Sequence, residues 1–197
     1  MMNLEGKRIG FGLTGSHHSH QEVFPQVKKL VAQKADVIPI ISNTVKQTDT
    51  KFGKAREHIQ QIEAITNHKV ISTIPEAEPF GPKEPLDCMV IAPLTGNSLS
   101  KLANAITDNA VLMAAKATLR NQRPVVLGVT TNDALGLNGV NLMKLLNSKY
   151  IYFIPFGQDN PFNKPNSIVA KWEYLTEAVT HAMEQKQLQP LLVPHKQ

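Results

Sequence analysis

Cysteine is almost missing from this sequence. Cys88 stands alone in 197 residues, which excludes an internal disulfide and, with it, the stapled miniprotein classes. Long apolar runs are missing too. The clearest ones, Cys88 to Leu94 and Pro124 to Thr130, are each about one strand long, against the ~18 to 20 residues of a membrane helix. No membrane partner is expected. The opening MMNLEGKRIG has no long apolar stretch behind a basic segment, so no secretory leader is predicted and a reducing cytoplasm is the expected compartment. Aromatics are scarce at 6%, and no run of five like charges occurs, so neither a base-stacking platform nor a basic nucleic-acid tract is expected. What remains is an ordinary globular composition, 42% apolar and 19% charged with 13 prolines and 11 glycines. A chain of this length buries enough surface to fold without a structural metal. Its formal charge of +5 favours anionic partners, phosphates or small acidic metabolites, without choosing among them.

The pattern along the chain alternates strand and helix. Lys7 to Leu13 mixes β-formers with glycine and runs into Thr14-Gly15-Ser16, a strand ending in a tight turn. Val23, Phe24, Val27, Leu30 and Val31 form one helical stripe, and Ser19 with Glu22 fits a capping box, although Pro25 should bend that helix or delay its regular part. Asp36 to Ile41 is predicted as a strand, Lys51 to Thr66 as a helix and Lys69 to Thr73 as a short strand. Residues 74–86 hold four prolines, three glutamates and a glycine, and read as a long extended loop outside the core. Cys88 to Ala92 is a strand covered on both faces, ended by Pro93. Helices over Ser98 to Ile106 and Asp108 to Arg120, strands over Val125 to Val129 and Tyr150 to Pro155, and a closing helix at about 167–187 complete the order. The closing helix rests on the spacing of Ile168, Trp172, Leu175, Val179 and Met183, with Trp172 in its core-facing stripe. One domain over 1–197 is expected, an α/β fold with a parallel sheet, helices on both faces and ligands at the carboxyl ends of the strands.

Those strand ends are Thr14 to Ser16, Ser42 to Thr44, Pro93 to Ser98 and Thr130 to Asn132. Gly12-Leu13-Thr14-Gly15-Ser16 has neither the lysine of a P-loop nor the glycine spacing of a dinucleotide site. It reads either as an anion cup, with hydroxyls and a helix N-terminus, or as a plain strand-to-helix turn. Pro93-Leu94-Thr95-Gly96-Asn97-Ser98 repeats the arrangement after a buried strand, and two such turns facing one crevice would hold a phosphate. His17, His18 and His20 crowd one turn, where adjacent side chains rarely point at one ion, so no metal site is predicted. A histidine on the rim could move a proton or bind a carboxylate, which makes His17 and His18 catalytic candidates beside Asn97. Cys88, inside an apolar strand, reads as core, and Asp108-Asn109 as the cap of the second of two helices, through the carboxylate.

The segment APLTGNSLSKLANAITDN, Ala92 to Asn109, together with the LTGS turn, resembles the flavin-dependent cysteine decarboxylases, whose relatives include phosphopantothenoylcysteine decarboxylase and the flavin prenyltransferases. Over the whole chain, GFGLTGSHHSH, the stretch from PEAEPFGPKEPLDCMVIAPLTGNS to TTNDALG, and FGQDNPFNKPNS resemble the family of dipicolinate synthase B subunits. The resemblance implies a flavodoxin-like Rossmannoid fold of three layers. It implies an FMN site at Thr14, Gly15, Ser16, Ser42, Thr95, Asn97 and Ser98, with Ser16 and Ser98 on the phosphate and Asn97 near the isoalloxazine. It implies a partner A subunit carrying NADP, a homo-oligomer, and oxidation of a dihydrodipicolinate precursor to pyridine-2,6-dicarboxylate in the mother cell of a sporulating bacterium. The alternative is a non-catalytic scaffold that keeps the cradle. Two departures bear on the chemistry: the HIxL-like histidine segment of the decarboxylases is missing, and their PxMN motif is replaced by Val129-Thr130-Thr131-Asn132. The prenyltransferases' arginine is likewise replaced by Thr130. A cofactor cradle with different substrate chemistry is what remains implied.

Overall fold

In the strand Cys88–Leu94, successive side chains enter two different cores. Cys88, Val90 and Ala92 face one, while Met89 and Ile91 face the other, and all are buried. A period of two with both faces apolar is the mark of a strand covered by helices on both sides. The computed structural model describes residues 3–195.

Within them, the elements run β1 (Arg8–Leu13), α1 (His20–Ala32), β2 (Asp36–Ile41), α2 (Asn43–Gln47), α3 (Ala55–Thr66), α4 (Ile74–Ala77) and β3 (Cys88–Leu94). The second half adds α5 (Gly96–Ala103), α6 (Ala110–Arg120), β4 (Val125–Thr131), α7 (Gly139–Leu146), β5 (Ile151–Phe153), β6 (Phe156–Asn160), β7 (Lys164–Ala170) and α8 (Leu175–Met183). The sheet order is β2-β1-β3-β4-β7-β6, with β5 beside the first half of β4. Pairs β1–β2, β1–β3, β3–β4 and β4–β5 are parallel. This is a flavodoxin-like α/β fold. One core joins the sheet to α1 and α8 through Val27, Leu30, Leu175 and Val179. The other joins it to α5, α6 and α7 through Leu99, Val111, Ala114 and Leu142. The strand order reverses at β1, so the crevice lies between the ends of β1 and β3.

The structure corrects several expectations. The closing helix at about 167–187 is shorter, Leu175–Met183, because Lys164–Ala170 is a strand: Ile168 and Val169 pair antiparallel with Thr131 and Thr130 of β4. The apolar spacing at Ile168 mimics a helix, while the Asn-Ser-Ile-Val-Ala run has strand character. Trp172 is buried, in a single 3₁₀ turn, and lies over Gly128 so closely that a Cβ there would come within 2.7 Å of the ring.

Lys69 to Thr73 is reduced to one bridge between Ile71 and Ile40. Ile71 bonds to the Pro39 carbonyl and the Ile41 amide, but Pro39 has no N–H with which to extend the ladder. Residues 74–86 are not a simple extended loop. Thr73 and Glu76 form a capping box that starts α4, and Ala77, Phe80 and Leu86 are buried. Pro93 does not end β3, which continues to Leu94 across a register irregularity opposite β4, where proline is tolerated.

Helix α3 starts at Ala55, later than predicted, after a turn closed by Thr50 and Gly53. Helix α5 ends at Ala103, just before Ala105 with its φ of 58°, leaving Ile106 exposed. Asn109, not Asp108, caps α6, its side chain accepting from the Leu112 amide. Ser19 makes no side-chain cap, and α1 continues through Pro25, which is exposed.

Candidate functional site

The turns after β1 and β3 are tied together by Thr14. Its amide and hydroxyl both donate to the Pro93 carbonyl, the hydroxyl at 2.7 Å, and the hydroxyl oxygen accepts from the Thr95 amide at 3.0 Å. Thr14 is 1% exposed, so this hydroxyl is spent on the fold. Its expected place among the cofactor contacts becomes that of a stitch between two loops. A Thr14→Val variant leaves the Thr95 amide without a partner and the Pro93 carbonyl with the Thr14 amide alone, and should lose about 1–2 kcal/mol of stability in urea unfolding.

The stitch sets two adjoining cavities on either side of Thr95. The smaller, of about 290 Å³, is lined by Gly15, Ser42, Thr95, Asn97 and Ser98, with Lys101 and Asp108 at its edge. Thr95 caps α5: its oxygen accepts from the Ser98 amide at 3.3 Å and its hydroxyl donates to the Ser98 oxygen at 3.2 Å. The Ser98 proton is thereby left for a ligand. The start of α5 also leaves the Gly96 and Asn97 amides without intrahelical partners, beside the positive end of the helix dipole. The cation at this edge, Lys101, is paired with Asp108 at 2.5 Å. Ser42 accepts from the Val45 amide at 3.4 Å.

The larger cavity, of about 590 Å³, is lined by Ser16, His18, Ser19, Glu22, Phe52, Thr95 and Gly96 on one side. Thr130, Thr131, Asn132, Asp159, Lys164, Ser167 and Val169 line the other. Ser19 is 1% exposed and its hydroxyl oxygen has no partner among the described residues. Lys164 is neutralised by Asp159 at 2.9 Å.

Of the seven cofactor contacts expected, five line the smaller cavity; Ser16 lies on the larger and Thr14 on neither. Ser16 thus faces the larger cavity and Ser98, with Asn97 beside it, the smaller. Of the catalytic candidates, His18 lines the larger cavity, Asn97 the smaller, and His17 neither. The residues that sequence reasoning missed, Asp159, Lys164 and Ser167, stand on the β6–β7 hairpin hidden by the helix-like spacing of Ile168.

His17 is instead buried with His20 and His58 behind the turn. Ring centroids lie 5.1 Å apart for His17–His20, 4.7 Å for His20–His58 and 5.7 Å for His17–His58. Burial lowers the pKa of all three, bringing His20 down to about 3, and the repulsion of neighbouring histidines adds to this at His17 and His20. Among the described residues, no group of three or more His, Cys, Asp or Glu is arranged to hold a metal ion. Cys88 is fully buried, its thiol pushed well above the ordinary range by burial and then by Asp87, so it is not a nucleophile.

Comparison with known proteins agrees with this architecture. Residues 2–184 match the Flavoprotein family. The chain is 60% identical over 197 residues to the B subunit of dipicolinate synthase from Bacillus subtilis (strain 168), covering 100% of this chain and 98% of that protein. The crystal structure of the dipicolinate synthase B subunit from Bacillus halodurans C matches with a TM-score of 0.92 and 58% identity, over 99% of this chain and 100% of that one. The FMN-dependent cysteine decarboxylase SpaF shares the fold, with a TM-score of 0.63 at 19% identity over 92% of this chain and 98% of its own. With a family match over most of its length and such identity from end to end, the chain belongs to the Flavoprotein family and is a homologue of the dipicolinate synthase B subunit.

Proposed function

We propose that this chain is the FMN-binding member of a two-subunit dipicolinate synthase, contributing to oxidation of a dihydrodipicolinate precursor to pyridine-2,6-dicarboxylate. The observation that carries this reading is the pair of cavities sharing Thr95. The smaller suits a phosphate: Ser98 has a proton to donate, Gly15 places no side chain in the way, and the α5 amides are free. The larger has room for a flat ring, and the unpartnered Ser19 hydroxyl on its wall is a polar group in want of a ligand. The residues present therefore fit FMN, with Ser42, Ser98 and Gly15 toward the phosphate and Ser16, Ser19, Gly96 and Thr131 toward the ring. When bound, a flavin supplies acceptance of a hydride, the two-electron chemistry that aromatisation of the ring requires. The chain's own part is to orient that ring and to shield it from water.

One observation favours a shared site over a self-sufficient one. The larger cavity carries Glu22 and Asp159 against Lys164, so it does not by itself match a doubly anionic substrate. The cations would come from the A subunit, which in this reading also holds NADP, or from a second copy of the chain. The scaffold alternative, a cradle without catalysis, differs in one measurable respect. Titrating the purified chain with FMN should quench flavin fluorescence, and activity should need both subunits and FMN together. A chain that takes up no FMN, or full activity of the A subunit alone without flavin, would overturn the proposal.

A further inference from the structure

From Thr131 on the wall of the larger cavity, side chains at the end of β4, at the start of and along α7 and just past α5 form a hydrogen-bonded chain with a fixed direction. The Lys144 ammonium donates to Asn104 Oδ1 at 3.4 Å, Asn104 Nδ2 to Asn141 Oδ1 at 3.2 Å, and Asn141 Nδ2 to Asn138 Oδ1 at 2.9 Å. Asn138 Nδ2 then donates to Asp133 Oδ2 at 2.8 Å, and the Thr131 hydroxyl donates to Asp133 Oδ1 at 2.5 Å. An ammonium can only donate and an ionised carboxylate can only accept, so the two ends leave the three amides between them one orientation. Thr131 meets the accepting end. Its single proton goes to Asp133, and only lone pairs remain for the cavity that Thr131 lines. The oxygen is held beside bare backbone: a Cβ on Gly96 would collide with the Thr131 hydroxyl and lie 2.9 Å from both Asn138 Nδ2 and Asp133 Oδ1.

We propose that Thr131 is an obligate hydrogen-bond acceptor in the larger cavity, with Asp133 as its positioning residue, so that the wall beside Gly96 selects a ring presenting an N–H. The inference rests on the FMN reading, because the pyrimidine edge of a flavin carries an N–H of this kind. It adds the selection rule and names the residue that sets it. Asp133 does not touch the ligand. It acts through Thr131, and the Asn138 bond holds its second oxygen in place.

The test compares FMN with an analogue methylated on that pyrimidine nitrogen, both followed by fluorescence titration. The wild-type chain should bind FMN about tenfold more tightly than the analogue, the worth of one hydrogen bond. Thr131→Val should bind the two alike, and Thr131→Ser should restore the preference. Asp133→Asn should also weaken it, since the orientation that would keep an oxygen toward Thr131 sets the new amino group against that of Asn138, while the other donates to Thr131 and turns the threonine proton into the cavity. The Thr131→Val/Asp133→Asn double variant should be no worse than Thr131→Val, because both act on one bond. Should Asp133→Asn fail to fold, Thr131→Val against Thr131→Ser decides the question alone. Equal binding of the two flavins by the wild-type chain, or an undiminished preference in Thr131→Val, overturns the inference while leaving the cofactor reading intact. No uptake of FMN by the wild-type chain overturns both.

Discussion

Replacing Ser98 with aspartate should lower FMN affinity by about three orders of magnitude, a far larger effect than Ser98→Ala has at the same position. Ser98 is the third residue of α5 and 4% exposed on the wall of the smaller cavity. A carboxylate in the first turn of a helix is favoured by the dipole, which offsets part of the cost of burying the charge at this position. A phosphate in the same cavity meets that charge at close range, and like charges about 4 Å apart repel by about 4 kcal/mol at an effective dielectric of about 20. Ser98→Ala, which removes only the hydroxyl, should cost about tenfold. Thermal melts report the fold and flavin titration reports the site. Unchanged FMN binding by Ser98→Asp would remove the phosphate from this cavity, whatever the binding of the ring.

The turn that carries Ser98 is legible in the sequence. β1, β2, β3 and β4 stand close to where their short apolar runs put them, because segments of six or seven residues bounded by turn residues suit a buried strand and are too short for a helix. Once those strands are parallel, their carboxyl ends must carry the site, and the small hydroxyl-bearing residues there are conspicuous. The partition between cavities is not legible. It depends on Thr14, whose side chain crosses from one loop to a carbonyl and an amide on the other, and nothing in the spacing of LTGS signals that. The β6–β7 hairpin is hidden for another reason: its residues alternate weakly, and Ile168 falls on the helical register of the segment that follows.

Asp133 shows the same limit from the opposite direction. In sequence it is one polar residue in a loop after β4. Its role follows from Thr131, two residues before it, and Asn138, at the start of α7, being turned onto its two oxygens. Capping boxes can be read because both members lie on one helix. A carboxylate shared between a strand end and a helix start has no fixed spacing, and α7 has no predicted place in the strand-and-helix pattern.

The three buried histidines should make the chain acid-labile, and His20 should account for a measurable share of that. Neutral burial lowers the His20 pKa to about 3, against 6.5 when the chain is unfolded. Between those values the unfolded chain binds a proton that the folded chain refuses. Stability is therefore complete above about pH 6.5 and falls as the pH drops toward about 3, the slope having the sign of a group protonated more readily in the unfolded state. At pH 5, about one and a half units below the unfolded value, the loss from His20 is about 2 kcal/mol. His17 and His58, also lowered by burial, add to it in the same direction, while Glu57 offsets part of the effect at His58. His20→Phe removes the titration and keeps an aromatic ring where His20 now stacks on Phe24 at 5.4 Å. Urea unfolding at pH 7 and pH 5 should then show the wild-type chain losing about 2 kcal/mol more than the variant over that interval. All other histidines are present in both chains, so the difference isolates His20. Equal losses in the two would mean that His20 takes up its proton in the folded chain without cost, and that water reaches the three histidines more readily than their burial implies.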